Sequence, residues 1–129
     1  MVQCYAVANC GSVIRFIKNP DRIIQLSAIR QRGGAIQSIP NPDKEIQTLA
    51  VETDSRTIQF IKNPDKDIQL LAVKGNIYSI HFITDPHKET QMYVAQKNCK
   101  ALLSYVIPPH PEVLAYVKEK LQYNLNSNI

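Results

Sequence analysis

Proline recurs at a fixed interval along this chain, and its spacing constrains the fold more than any other feature. Pro20, Pro42, Pro64, Pro86 and Pro108 are each 22 residues apart. A period of about 20 to 50 residues is typical of repeat arrays, in which each short unit buries its apolar face against the next unit. The 129-residue chain is therefore predicted to be an array of stacked units.

Other residue types recur in the same frame and define the unit more closely. A glutamine column consists of Gln3, Gln25, Gln47, Gln69 and Gln91. An alanine column consists of Ala6, Ala28, Ala50 and Ala72, and an isoleucine column of Ile14, Ile36, Ile58 and Ile80, continued by Leu102. Several columns in register without an insertion indicate true repetition.

Each unit is predicted to contain two helices. The segment 63–66, Asn-Pro-Asp-Lys, resembles a helix start, with asparagine as the cap, proline at the first helical position and aspartate near the positive end of the helix dipole. The second helix is expected to end near Gly75. A shorter first helix carries Ile58 and Ile61, three residues apart, and must end before Pro64.

The isoleucine-rich segments also fit short β-strands, as in a parallel β-helix, because they are short and β-branched. A β-helix would show strict alternation and frequent glycine, whereas the chain contains four glycines. The favoured fold is all-α, a right-handed α-solenoid of short two-helix repeats with a period of 22 residues.

We predict a single repeat domain over residues 1–129. It comprises a half unit 1–10, units at about 11–32, 33–54, 55–76 and 77–98, a degenerate C-terminal capping unit 99–123 and a tail 124–129. The half unit matches only the second helix, so that helix would begin the array uncapped. Its apolar side is either a docking or homodimer surface or is covered by neighbouring elements.

Composition narrows the class of protein. No apolar run approaches the length of about 18 residues that crosses a bilayer, and the N-terminus lacks the features of a signal peptide, so no membrane contact and a cytoplasmic location are expected. His81, His87 and His110 show no metal-ligand spacing, and no glycine-rich phosphate loop or nucleophile motif occurs. We expect neither an enzyme nor a cofactor.

The segment 61–73, Ile-Lys-Asn-Pro-Asp-Lys-Asp-Ile-Gln-Leu-Leu-Ala-Val, resembles a short HEAT-like helical repeat of uncharacterised proteins from bacteriophages, large DNA viruses and some bacteria. The resemblance covers about residues 2–106, and the unit containing Asp85 and Thr90 departs from it. It implies a viral or mobile-element origin and action in the host cytoplasm. By analogy with small phage proteins that lack catalytic groups, it also implies an inhibitor of a host defence protein.

Aromatic residues are concentrated where the repeat departs from its own pattern, and tyrosine is enriched at protein interfaces. The candidate protein-binding residues are Tyr5, Tyr78, His81, Tyr93, Tyr105 and Tyr116. His81 falls in the exposed column of Arg15, Gln37 and Gln59. The structural alternative is that these aromatics fill a terminal cap. Another protein is the predicted partner.

The glutamine column falls within the apolar arc of the second helix, where an unpaired amide would cost about 1 to 3 kcal/mol. Each glutamine is therefore expected to bond the turn between the helices or the next glutamine along the stack. The alternative is a row of amides lining a groove for a peptide or nucleotide.

The formal charge of +4 permits a polyanionic partner, so nucleic acid is the alternative to protein. The candidate nucleic-acid edge, where second helices end, consists of Arg30, Arg32, Arg56, Lys74, Lys97 and Lys100. Cations there also complement negative helix ends. A second cationic column starting at Arg22 and Lys44 is flanked by acids and is expected to be near neutral. A structural homo-oligomer is the third hypothesis.

Overall fold

The computed structural model describes residues 10–106 and 108–127, with side chains as far as Gln122. Every regular element in this part of the chain is a helix, and none of it forms a strand. The prediction of an all-α fold is confirmed, and the β-helix alternative is wrong for the described residues. Tyr5, Gln3 and the predicted uncapped helix of the half unit lie outside them.

Two kinds of helix alternate along the chain. The 3-10 helices are η1 (Gly11–Phe16), η2 (Gly33–Ser38), η3 (Ser55–Phe60) and η4 (Ile77–Phe82). The α-helices are α1 (Arg22–Gln31), α2 (Lys44–Thr53), α3 (Lys66–Gly75), α4 (Lys88–Lys97), α5 (Cys99–Tyr105) and α6 (Pro111–Ser127). The last helix continues past Asn124, where the tail was predicted to begin, because no proline or glycine interrupts it.

The helices pack into two layers. In the α layer, each helix from α1 to α3 contacts the next α-helix of the series α1 to α4, and α6 packs on α4. In the η layer, each of η1 to η3 contacts the following 3-10 helix, and α5 packs on η4. The core lies between the layers and contains the isoleucine column, from Ile14 to Ile80, followed by Leu102. Each unit therefore buries its apolar side chains largely against its neighbours, as expected for a repeat array.

The α-helices begin two residues later than the sequence analysis predicted. Asp21, Asp43 and Asp65 are the N-caps, and each side chain accepts a hydrogen bond at 3.0 Å from a main-chain N–H three residues on. The preceding asparagines, including Asn63, adopt left-handed φ angles of 50° to 52°. Asparagine tolerates this conformation, so it reverses the chain before the proline and leaves capping to aspartate.

Cations at the start of each α-helix pair with acids of the following unit. Arg22 contacts Asp43 and Glu45, and Lys44 contacts Asp65 at 3.2 Å and Asp67 at 2.9 Å. Further pairs of the same kind are Lys66 with Glu89 and Lys88 with Glu112. The side chains are exposed, so each pair stabilises the array only weakly. This edge is near neutral, which argues against phosphate binding there.

These contacts give the fold a defined acid sensitivity. The main-chain N–H of Ile46 and then the Arg22 guanidinium hold the pKa of Asp43 below its usual value, and Ile68 and Lys44 do the same for Asp65. A carboxylate with a lowered folded pKa contributes stability above its unfolded pKa of about 4, and this is lost as the pH falls through the folded value.

We therefore expect the urea midpoint of unfolding to fall as the pH drops below about 4. Asp43→Asn keeps a capping oxygen but removes the titrating charge, so it should reduce the difference in midpoint between neutral and acid solution. An unchanged pH dependence in this variant would contradict the assignment.

Two hydroxyl groups are buried in the η layer without a hydrogen-bond partner among the described residues, those of Thr57 and Ser79. Their column is otherwise occupied by apolar residues, such as Ala35. Because a desolvated hydroxyl without a partner destabilises the folded state, Thr57→Val should raise the free energy of unfolding by about 1 kcal/mol. Thr53→Val is the control, since the Thr53 hydroxyl donates to the Leu49 carbonyl at 2.8 Å. No gain over that control in urea unfolding would refute the prediction.

Candidate functional site

The net charge of the protein lies in the η layer. Its 3-10 helices, α5 and connecting turns occupy residues 10–20, 32–42, 54–64, 76–86, 98–106 and 108–109, and hold six lysines and arginines against two acids. The α-helices of the α layer, with their caps, hold nine lysines and arginines and nine acids. The η layer therefore carries the whole formal charge of +4, whereas the α layer is balanced.

The same layer exposes a cluster of aromatic side chains. Tyr78 is 51% exposed, Tyr105 43% and Phe60 39%, on the adjacent elements η4, α5 and η3. The His81 ring lies 5.3 Å from Phe82 and 4.8 Å from Tyr105, measured between ring centroids. We call these five residues the aromatic surface. Large exposed aromatic side chains grouped in this way mark interaction sites more often than isolated ones do.

Grooves separate the units on this layer and contact the aromatic surface. One groove, of about 450 Å³, runs between the turns at Asn41 and Asn63 and is lined by Phe60 and Lys62. A second, of about 550 Å³, is lined by Arg32, Phe60 and Phe82. Both volumes fall in the range of small ligand and side-chain pockets, about 300 to 1,000 Å³. Phe60 forms the wall that the two grooves share.

A third groove, of about 530 Å³, lies beyond Phe82. Its charged lining residues include Lys62, Asp65 and Asp85. The lining is therefore acidic as well as basic, unlike that of the groove at Asn41 and Asn63, whose one charged residue is Lys62. The basic character of the layer is thus concentrated on the η2 side of Phe60.

The structure brings together only part of the predicted protein interface. His81 and Tyr105 are in contact in the aromatic surface, and Tyr78 is exposed on the same 3-10 helix as His81. Tyr93 and Tyr116 instead belong to the α layer, where both are half-buried against the core and have the Lys97 and Lys120 ammonium groups 5.6 Å from their ring centroids.

Phe60 and Phe82 were missed by the sequence analysis. The signal was present, because Phe16, Phe60 and Phe82 occupy one column of the repeat, interrupted by Ser38. Phe16 is 74% exposed on η1 and lies under the Arg15 guanidinium, 4.7 Å from its ring centroid. A column of phenylalanines in a helix this short was indistinguishable from core packing until its exposure was known.

The glutamine column bonds the turns. In Gln25, Gln47 and Gln91 the side-chain N–H donates to the proline carbonyl of the same unit, at 2.8 to 3.0 Å. Gln69 does this at 3.2 Å and also bridges to the next unit, where its oxygen accepts from the His87 main chain at 2.8 Å and from the Thr90 hydroxyl at 3.2 Å. The Gln91 oxygen likewise accepts from the His110 main chain at 2.8 Å. These amides fix the register of consecutive units.

The candidate nucleic-acid edge keeps its exposed cations but is partly neutralised. Arg56 pairs with Asp54 at 2.9 Å, and this ion pair raises the pKa of the Arg56 guanidinium and lowers that of the Asp54 carboxyl. Lys97 lies over the Tyr93 ring. Arg30, Arg32, Lys74 and Lys100 are exposed and form no salt bridge with any residue the structure describes.

Metal-ligand clusters and membrane spans are both absent from the described part of the chain. Among these residues, no three histidine, cysteine, aspartate or glutamate side chains are grouped so that they could hold a metal ion. None of the described helices combines the length and apolar character that a membrane span requires.

Comparison with known proteins gives no relative: no family model, no curated protein and no solved structure matches the chain. The role of the aromatic surface is therefore inferred from its own residues.

Proposed function

We propose that this chain is a non-enzymatic protein-binding module, built as a right-handed α-solenoid with a 22-residue period, and that the aromatic surface contacts the partner. The observation that carries the proposal is the exposure of Phe60, Tyr78 and Tyr105 on three neighbouring elements. Tyrosine and phenylalanine bury large areas at little entropic cost, so they dominate binding at protein interfaces. The resemblance to phage repeats supports a host defence protein as that partner.

Protein is favoured over nucleic acid by the arrangement of charge. Binding to a polynucleotide requires cations that follow the phosphates in series. At the candidate edge, Arg56 and Lys97 already have partners in this chain. Phe60 and Phe82 line one groove together with the charged residues Arg32, Asp54 and Arg56, and aromatic residues and arginine are both enriched at protein interfaces.

Affinity capture with a matched control tests the proposal. The variant combining Phe60→Ala, Tyr78→Ala and Tyr105→Ala is compared with one combining Phe16→Ala and Ile23→Ala, which also removes exposed apolar side chains. We expect the wild type and the control to retain the same protein from a host lysate. The triple variant should retain it at least about tenfold less, since truncating each aromatic side chain at an interface costs on the order of 1 kcal/mol or more.

Equal retention by the two variants would exclude the aromatic surface as the binding site. Tight retention of polynucleotide without any retained protein would favour the nucleic-acid hypothesis instead. A mass measurement in solution tests the homo-oligomer hypothesis, because a monomer would rule it out.

A further inference from the structure

Each of the two grooves that meet at Phe60 is lined by one cation that forms no ion pair with a described residue. Lys62 is the one charged residue in the groove between the turns at Asn41 and Asn63. In the second groove the charged residues are Arg32, Asp54 and Arg56, of which the last two pair with each other. Arg32 and Lys62 are exposed and form no salt bridge with any described residue. Each groove thus has one cation available to a ligand.

A fourth depression extends the basic lining away from Phe60. It is smaller, about 150 Å³, and both of its charged residues are cations, Arg15 and Arg32. Arg15 and Arg32 therefore continue the basic lining along η1 and η2, beyond the groove that Lys62 shares with Gln37 and Phe60. A bound segment that crosses the units would meet several cations in turn.

Glutamine side chains line the same grooves as these cations. Gln37 lines both grooves that meet at Phe60, and Gln59 lines the second of them. Each donates one N–H to a main-chain carbonyl of its own helix, at 3.3 Å for Gln37 and 3.1 Å for Gln59. A primary amide has a second N–H and an oxygen with two lone pairs, so both side chains have capacity for the main chain of an extended peptide.

Resting on the proposed function, we propose that these grooves bind an extended acidic peptide segment of the partner protein that carries a bulky apolar side chain. The apolar side chain packs between Phe60 and Phe82, and the carboxylates contact Arg32 and Lys62. A planar guanidinium binds carboxylates in a bidentate manner, which makes Arg32 the stronger of the two contacts. Charge complementarity to the basic η layer selects the acidic segment over neutral ones.

The binding of an acidic peptide is tested by selection from a random peptide library displayed on phage. The full chain is immobilised for the selection. We expect the enriched peptides to contain an excess of aspartate and glutamate around a leucine or an aromatic residue. Enrichment of neutral or basic peptides would overturn the proposal. Fluorescence anisotropy with the most enriched labelled peptide then measures affinity, with a labelled oligothymidylate as the nucleic-acid probe.

Two double variants test whether the cations of the grooves, rather than positive charge in general, bind the peptide. Combining Arg32→Gln with Lys62→Gln should weaken peptide binding at least about tenfold. Combining Lys66→Gln with Lys118→Gln removes the same charge from exposed positions of the α layer and should change affinity less than about twofold. Equal effects of the two variants, or tighter binding of oligothymidylate that displaces the peptide, would refute the assignment.

Partner binding by the aromatic variant and by the charge variant distinguishes the acidic-peptide site from a protein interface of another kind. If Phe60→Ala abolishes binding of the partner protein but the Arg32 and Lys62 variant binds normally, the surface is a protein interface and the acidic peptide is wrong. If neither the aromatic nor the charge variants change binding, both proposals fail.

Discussion

Replacing Ile58 with alanine is expected to lower the free energy of unfolding by about 3 kcal/mol. The Ile58 side chain is 1% exposed in the middle of the isoleucine column, where the core is formed between the layers. Removing three carbons from such a site loses their burial and leaves a cavity that the neighbouring units fill only in part. Because the units stabilise one another, the loss should also broaden the urea transition followed by circular dichroism.

Phe60→Ala provides the control on the same 3-10 helix. The Phe60 side chain is larger than that of Ile58 but is exposed on the outer side, so its removal should change the free energy of unfolding by less than about 1 kcal/mol. A similar loss for both variants would mean that Phe60 is a core residue, and it would remove the main support for the aromatic surface. Stability and binding are thus expected to depend on different residues of η3.

Replacing Gln69 with leucine is expected to lower the free energy of unfolding by about 3 kcal/mol, more than the same change at Gln47. Gln69 is 2% exposed and bonds both its own turn and the next one, through the Pro64 and Asp85 carbonyls and the His87 N–H. Leucine leaves the carbonyls, the N–H and the Thr90 hydroxyl without this partner. Each buried group that loses its hydrogen bond costs about 1 kcal/mol or more.

Gln47→Leu is the matched control, because Gln47 is half-buried and donates one hydrogen bond, to the Pro42 carbonyl at 2.9 Å. It should lose only about 1 kcal/mol in the same urea experiment. A second comparison adds Thr90→Ile to Gln69→Leu, which restores the residue type of the other units. This addition should recover about 1 kcal/mol, since the unpaired hydroxyl is then removed. If Gln69→Leu and Gln47→Leu are equally destabilising, the bridge between units contributes nothing to the free energy of unfolding.

The bridge also explains a departure in the repeat that the sequence left unexplained. Thr90 stands where the preceding units have Ile24, Ile46 and Ile68, and it is fully buried. Its hydroxyl donates to the Gln69 side-chain oxygen. The buried hydroxyl is tolerated at this point because an acceptor from the previous unit is within reach. A sequence pattern contains no information on such a distance.

The residue that caps each α-helix could not be assigned from local sequence preferences. Asn63, Pro64 and Asp65 were each assigned two positions too far into the helix, because asparagine, proline and aspartate all favour helix N-termini. The order of the three is decided by the left-handed φ of Asn63, which turns the chain before the helix begins. Propensity alone gave equal support to both alignments.

The sequence by itself determined the period, the all-α class and the apolar columns, because a residue type repeated every 22 positions occupies the same environment in every unit. Only the tertiary structure decided which columns share an outer surface. It separated Tyr93 and Tyr116 from Tyr78 and Tyr105, and it placed Phe60 beside Gln37 of η2 and Phe82 of η4. Exposure depends on how the layers pack, and for helices of six residues the sequence period does not specify that packing.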